Sequence, residues 1–120
     1  MAGYPQYGQR DLMYIPDRGD IIWLDFEPSV EKEITKRRPA YVVSRKAFNG
    51  HTGFALVAPI TSTERNVRLE VILDGTQTKG AILSYQLKSF DFEQRQATFI
   101  EKAPGPIIAA MAQIIQVIVR

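Results

Sequence analysis

Short β-branched and aromatic runs, each ended by glycine, proline or asparagine, constrain the fold of this chain more than any other feature. In the run 20–26, Ile22, Leu24 and Phe26 alternate with Ile21, Trp23 and Asp25, the period of a strand. The runs 38–44 and 54–60 are joined through Phe48-Asn49-Gly50-His51-Thr52-Gly53, where Asn-Gly favours a turn, so they are expected as neighbouring antiparallel strands. Leu69, Val71 and Leu73 alternate up to the turn signal Asp74-Gly75. The stretches 81–89 and 97–101 add two or three short strands, with a single helical turn expected over 91–95. Close spacing of short strands predicts a small β-barrel or sandwich. The ending breaks the pattern: after Pro104-Gly105-Pro106, Ile107, Ile108, Met111, Ala112, Ile114, Ile115 and Ile118 recur at helical offsets. A terminal helix is expected to pack on the sheet. Being apolar nearly all round, it calls for cover on more than one side, by a deep groove or a partner subunit.

A chain of 120 residues suits one domain, expected over 18–120, behind a Gly-, Gln-, Tyr- and Pro-rich leader over 1–17 read as flexible. No cysteine is present, which excludes disulfides, thiol nucleophiles and zinc–thiolate sites and fits a reducing cytoplasm, the expected location. A single histidine, His51, rules out a histidine metal cluster and is expected to be exposed and uninvolved. No metal or other cofactor is expected. Neither a signal-peptide pattern nor a run of apolar residues long enough to span a membrane occurs.

The net charge of +2 announces no broad electrostatic grip on nucleic acid. Positive charge is local: Lys36-Arg37-Arg38 and Arg45-Lys46 bracket one expected strand, followed by Arg65, Arg68 and Lys88. Such clusters suit a short ligand better than a long duplex. The polar segment 27–36 reads as a long loop, and long loops in small domains are usually functional or mobile. Pro39 disfavours a helical conformation at Arg38 and leaves it extended at a strand mouth. Thr61 and Ser62 close the next strand. Attack of a ribose 2′ oxygen on its neighbouring phosphate piles negative charge onto phosphoryl oxygens. A bidentate guanidinium and hydroxyl donors are the groups that meet it. As a purely structural alternative, Thr61-Ser62-Thr63 serves only to cap a turn.

Four segments, Gly19-Asp20-Ile21-Ile22-Trp23-Leu24-Asp25-Phe26, Arg38-Pro39-Ala40, Pro59-Ile60-Thr61-Ser62 and Gln86-Leu87-Lys88-Ser89, stand in the order and spacing of one family. Through them the chain resembles the MazF/PemK toxins of type II toxin–antitoxin systems from about residue 14 to 119. The resemblance implies a mainly β fold, a small SH3-like β-barrel with a C-terminal α-helix, assembled as a homodimer. It further implies a metal-independent, sequence-selective endoribonuclease of single-stranded RNA that leaves a 2′,3′-cyclic phosphate and a 5′ hydroxyl. A cognate antitoxin with an acidic, extended tail is the implied protein partner.

The same resemblance makes Arg38 and Thr61 catalytic and aligns Glu33 with a catalytic loop glutamate, which Lys36 and Arg37 would keep ionised. Ser62, Lys36, Arg37, Gln86 and Lys88 fall at or near the RNA groove. Leu69 and Val67 align with base-contacting positions, although core packing is the simpler reading of Leu69. Some members use an aspartate just before the glutamine of the fourth segment and an arginine two residues earlier. Here those positions hold Tyr85 and Leu83, so that acid–base pair is absent. Tyr85 is suited to stacking on a base or donating a hydrogen bond, but with an ordinary pKa of about 10 it is a poor base. Trp23, off the core face, is expected to meet antitoxin or RNA, or to serve as structural filler. Two further readings stay open: a gyrase-poisoning toxin of the CcdB type on the same scaffold, and a MazF-like protein that binds antitoxin without cleaving RNA. The ending Val117-Ile118-Val119-Arg120 lacks the Trp-Gly pair of the first, and intact Arg38 and Thr61 argue against the second.

Overall fold

The structure, a computed structural model, describes residues 13–27, 36–63 and 69–120. Within them, seven strands and two helices follow one another: β1 (Asp20–Glu27), β2 (Lys36–Val42), α1 (Lys46–Thr52), β3 (Phe54–Thr61), β4 (Glu70–Ile72), β5 (Ala81–Leu83), β6 (Lys88–Asp91), β7 (Thr98–Lys102) and α2 (Gly105–Val119). All pairings are antiparallel. The strand order is β4-β5-β3-β2-β1-β7, and β6 pairs with β3. One edge of β3 is thereby shared, its first half with β6 and its last two residues with β5. The path does not close on itself, but the class is the expected one, mainly β with a C-terminal helix.

The sheet is buried on both faces. Ile22, Leu24, Ala40, Val42, Ala55, Val57, Phe90 and Phe92 form one core inside the curl of β1, β2, β3 and β6. Ile21, Tyr41, Ala58, Ile60, Ile82, Ile107 and Met111 belong to a second, between the other face and α2. The alternation in β1 is as read, yet Ile21 is not solvent-facing, because the terminal helix covers it. Trp23, one step further along the same row, lies past that cover and is 42% exposed. Burial in the Tyr41 cluster pushes its phenol up to about 12. Helix α2 starts at Gly105 behind an extended Pro104 and buries Ile107 and Met111. Its last turn leaves Val117, Ile118 and Val119 exposed, so part of its apolar surface has no cover among the described residues.

Two expectations need correction. The turn expected at Asn49-Gly50 is the helix α1. Asn49 is fully buried, its Nδ2 donates to the carbonyls of Pro16 (2.8 Å) and Ser44 (3.0 Å), and its Oδ1 accepts from the Ser44 hydroxyl. With its amide used this way, the left-handed conformation moves to Gly53 (φ 81°), which ends the helix. The single helical turn expected over 91–95 is present: the Arg95 amide donates to the Asp91 carbonyl at 3.0 Å, and the turn buries Phe92. Order begins before residue 18: residues 13–17 of the expected leader lie against the fold, with Pro16 buried and Tyr14 and Ile15 packed on the inner core. The Tyr14 hydroxyl and the Asp17 amide donate to the Asp20 carboxylate, whose other oxygen pairs with Lys102 at 2.7 Å. Burial, followed by the hydrogen bond to Asp20, raises the Tyr14 phenol far above its ordinary range. Residues 1–12 lie outside the described residues.

Candidate active site

Register places the two residues singled out first. Ala40 of β2 pairs with Pro59 of β3. Continued two residues outward, the same antiparallel register sets Arg38 across from Thr61 on the same face, because strand side chains repeat every second residue. Arg38 pairs with Leu24 of β1, so it prolongs the inward row of Ala40 and Val42 beyond the end of the core. Its guanidinium therefore emerges exposed at the mouth of the curl. Among the described residues it has no carboxylate partner.

Arg38 lines two adjoining cavities. One, of about 350 Å³, is walled by Arg37, Arg38, Pro39, Ile60, Thr61, Ser62 and Lys79. The other, of about 380 Å³, is lined by Phe26, Arg38, Pro59, Gln86, Leu87 and Lys88. The first is rich in cations and hydroxyls, a setting for phosphate; the second adds an aromatic ring and an amide, a setting for a base. Thr61 Oγ1 accepts the amide of Thr63 at 3.2 Å, so the turn-capping role is real. That bond occupies only a lone pair, and the hydroxyl hydrogen stays available to a ligand. Both roles coexist.

Local contacts fix these walls. Phe26 stands edge-on to Phe90, with ring centroids 5.1 Å apart. Arg95 stacks over Phe90 at 4.9 Å and donates to the carbonyls of Asp25 (3.1 Å) and Phe26 (2.8 Å), which holds the end of β1. Thr61 pairs with Ala81 of β5, and Gly80 approaches it so closely that an added Cβ would lie 1.9 Å from the Thr61 carbonyl oxygen. With φ at +124°, Gly80 also needs the conformational freedom of glycine.

The other expected residues divide. Ser62, Gln86 and Lys88 line the cavities. Arg37 borders the first cavity, but its guanidinium is committed elsewhere, to Asp25 Oδ1 (2.8 Å), the Gln96 carbonyl (2.7 Å) and Thr98 Oγ1 (3.1 Å). It ties β2 to β1 and β7 and is no free phosphate ligand. Leu69 and Tyr85 are exposed but line neither cavity; Leu69 adopts φ 69°, and its carbonyl accepts the hydroxyl of buried Ser84. Trp23 is exposed on the helix-bearing face, outside both linings. His51 is exposed on α1. Glu33 and Val67 lie outside the described residues, as does the side chain of Lys36. Among the described residues no group of three His, Cys, Asp or Glu could hold a metal ion, and no helix is long and apolar enough to cross a membrane.

Sequence reading missed Phe26, Pro59, Leu87 and Lys79 as wall residues. Phe26 was detectable as the last apolar position of a row whose core partners have run out. Lys79 carries no local signal, since only the pairing of β3 with β5 brings its loop beside Thr61.

A family model described as PemK-like, MazF-like toxin of type II toxin–antitoxin system matches residues 17–119. The chain belongs to this family. Among curated relatives, the endoribonuclease toxin MazF of Escherichia coli (strain K12) is 40% identical over 85 residues, 71% of this chain and 77% of that protein. Endoribonuclease PemK of Escherichia coli is 30% identical over 97 residues, 77% of this chain and 73% of its own. Among solved structures, a MazE–MazF crystal structure from Deinococcus radiodurans superposes with a TM-score of 0.81 at 33% identity, covering 88% of this chain and 96% of that one. The PemK/MazF fold thus extends over nearly the whole chain, with the cavities at Arg38 inside the matched region.

Proposed function

We propose that this chain is the toxin of a toxin–antitoxin pair and acts as a metal-independent, sequence-selective endoribonuclease on single-stranded RNA. The observation that carries the reading is the convergence of Arg38 and Thr61 on one solvent-open cavity from facing strand ends. A scissile phosphate seated there meets a guanidinium fork and a hydroxyl donor, and both bind more strongly as charge builds on the phosphoryl oxygens. The 2′ oxygen forms its bond to phosphorus, the bond to the 5′ oxygen breaks, and a 2′,3′-cyclic phosphate and a 5′ hydroxyl remain. The 2′ proton passes to a base, for which Glu33 is proposed, and the leaving oxygen takes a proton from solvent. Gln86, Lys88 and Phe26 of the adjoining cavity hold the neighbouring nucleotide.

The Deinococcus relative was solved together with MazE. For this chain, a cognate antitoxin with an acidic extended segment is proposed to occupy the same cationic groove. A homodimer is proposed as well, supported by the uncovered Val117, Ile118 and Val119 of α2. Purified protein is expected to cut a long single-stranded transcript in the presence of EDTA, with cut sites mapped by primer extension sharing a short motif. Cleavage by Arg38→Ala at the wild-type rate would sink the assignment.

A further inference from the structure

Besides Arg38, the cavity that holds Thr61 is walled by a second cation, Lys79, that forms no salt bridge among the described residues. Strand order β5-β3-β2 puts the β4–β5 loop on one side of Thr61 and Arg38 on the other. Lys79, at the end of that loop, shares the cavity wall with both. We propose that Lys79 forms a second phosphate subsite, which takes a phosphodiester flanking the scissile one on the RNA strand. This inference rests on the nuclease reading of the site.

The loop is built to present Lys79. The Glu101 carboxylate accepts the amides of Gln77 (3.0 Å) and Thr78 (2.7 Å) and the Thr78 hydroxyl (2.7 Å), while Thr76 Oγ1 donates to the Thr78 carbonyl. On its other side Gly80 abuts the Thr61 carbonyl. The Lys79 backbone is thus held between two anchors, one on β7 and one on the catalytic strand end. Its exposed ammonium donates to the Thr76 carbonyl at 3.3 Å and interacts electrostatically with the Glu101 carboxylate, but it forms no salt bridge among the described residues. Arg37, by comparison, spends its charge on Asp25.

A strand of RNA carries a charge at every nucleotide, so a strand pinned at Arg38 must bring another phosphate close by. Lysine fits this position because a hydrated point charge on a flexible stem attracts a phosphate without demanding the fixed geometry an arginine fork imposes at the reacting centre. Phosphate contacts set register and carry no base information. The effect of Lys79 is therefore the same for every target sequence.

The test uses Lys79→Gln and Lys79→Arg in the full chain, with binding measured against an RNA oligonucleotide carrying a 2′-deoxy sugar at the cut site, which blocks cleavage. For Lys79→Gln, Kd rises several-fold and the slope of log K against log salt shrinks by about 0.7, the loss of one single-strand phosphate contact. KM rises to match on cleavable RNA while kcat stays within about twofold, and Lys79→Arg restores the slope. An unchanged slope overturns the subsite, as does a fall in kcat at constant KM. Weakened binding of an acidic peptide with the RNA slope intact assigns Lys79 to a peptide partner and equally overturns it. If wild-type protein cuts no RNA, the nuclease reading fails by itself, and the slope on the uncleavable strand still decides the fate of the subsite.

Discussion

The two ends of the strands treat polar side chains in opposite ways. At the end where β1 starts, the buried Asp20 and Asn49 are both spoken for: Asp20 by Tyr14, Asp17 and Lys102, and Asn49 by Pro16 and Ser44. At the other end, Arg38 extends from the same inner row with no carboxylate partner among the described residues, and Thr61 keeps a donor hydrogen. Burying a polar group unpaired is costly, so the stapled end uses its polar groups for stability. The open end commits Arg37 and Arg95 to the fold but leaves Arg38 and the Thr61 hydroxyl for a ligand to satisfy. Partnership, more than residue type, separates the polar side chains that hold this fold from those offered to substrate.

Arg38→Ala tests the contrast with the largest expected effect. Loss of a preorganised donor to the developing charge costs roughly 3 kcal/mol of barrier, about two orders of magnitude in kcat. Because Arg38 is exposed, the unfolding free energy is expected to move by no more than ~0.5 kcal/mol. Single-turnover cleavage and urea unfolding on the same preparation check both halves. A large stability loss would mean that the open end is structural after all.

The mirror-image experiment is Asn49→Leu. It strands the carbonyls of Pro16 and Ser44 and removes the acceptor of the Ser44 hydroxyl, which keeps the Leu56 amide as donor, at an expected cost of about 2–3 kcal/mol in stability. Cleavage per folded molecule should be preserved. Gly80→Ala joins the two classes: its Cβ would collide with the Thr61 carbonyl, and its φ of +124° is strained for any other residue. A loss of about 2 kcal/mol in stability is expected, with a drop in kcat as Thr61 is displaced. Full activity in a stably folded Gly80→Ala protein would show that Thr61 need not sit where it does.

How much of this was legible beforehand follows from how local each signal is. Strands β1 and β3 and helix α2 could be read because alternation and helical spacing are properties of neighbouring residues. The Asn-Gly pair misled because its turn preference is also local, whereas one of the partners that claim Asn49, Pro16, lies far away in sequence. Arg37 and Arg38 differ in fate although they are adjacent and chemically identical. The distinction lies in strand parity: Arg38 follows Ala40 and Val42 inward, and Arg37 follows Pro39 and Tyr41 toward Asp25. That parity could have been counted from the apolar row. The role of Lys79 could not, since it depends on which strand pairs with the end of β3.

Glu101 gives the smallest and most specific effect. Desolvation pushes its carboxyl up, but the amide of Gln77, the hydroxyl and amide of Thr78 and the charge of Lys79 outweigh that, and the net displacement is downward. A carboxyl held lower in the folded state adds stability that is fully present above its unfolded pKa and disappears as pH falls through the folded one. With an ordinary glutamate near 4.3, the contribution is intact at neutral pH and fades below about pH 4. The carboxylate is only partly shielded from water, so Glu101→Gln should cost no more than about 1 kcal/mol at pH 7. The gap between wild type and variant should close on acidification. Hydrogen exchange localises the effect: the Gln77 and Thr78 amides, protected in wild type at neutral pH, should exchange faster in Glu101→Gln, while amides of the stapled end around Asn49 stay unchanged. Equal acceleration at both ends would show that the β4–β5 loop is not held separately by Glu101, and the contrast between a satisfied end and an open end would lose its sharpest local support.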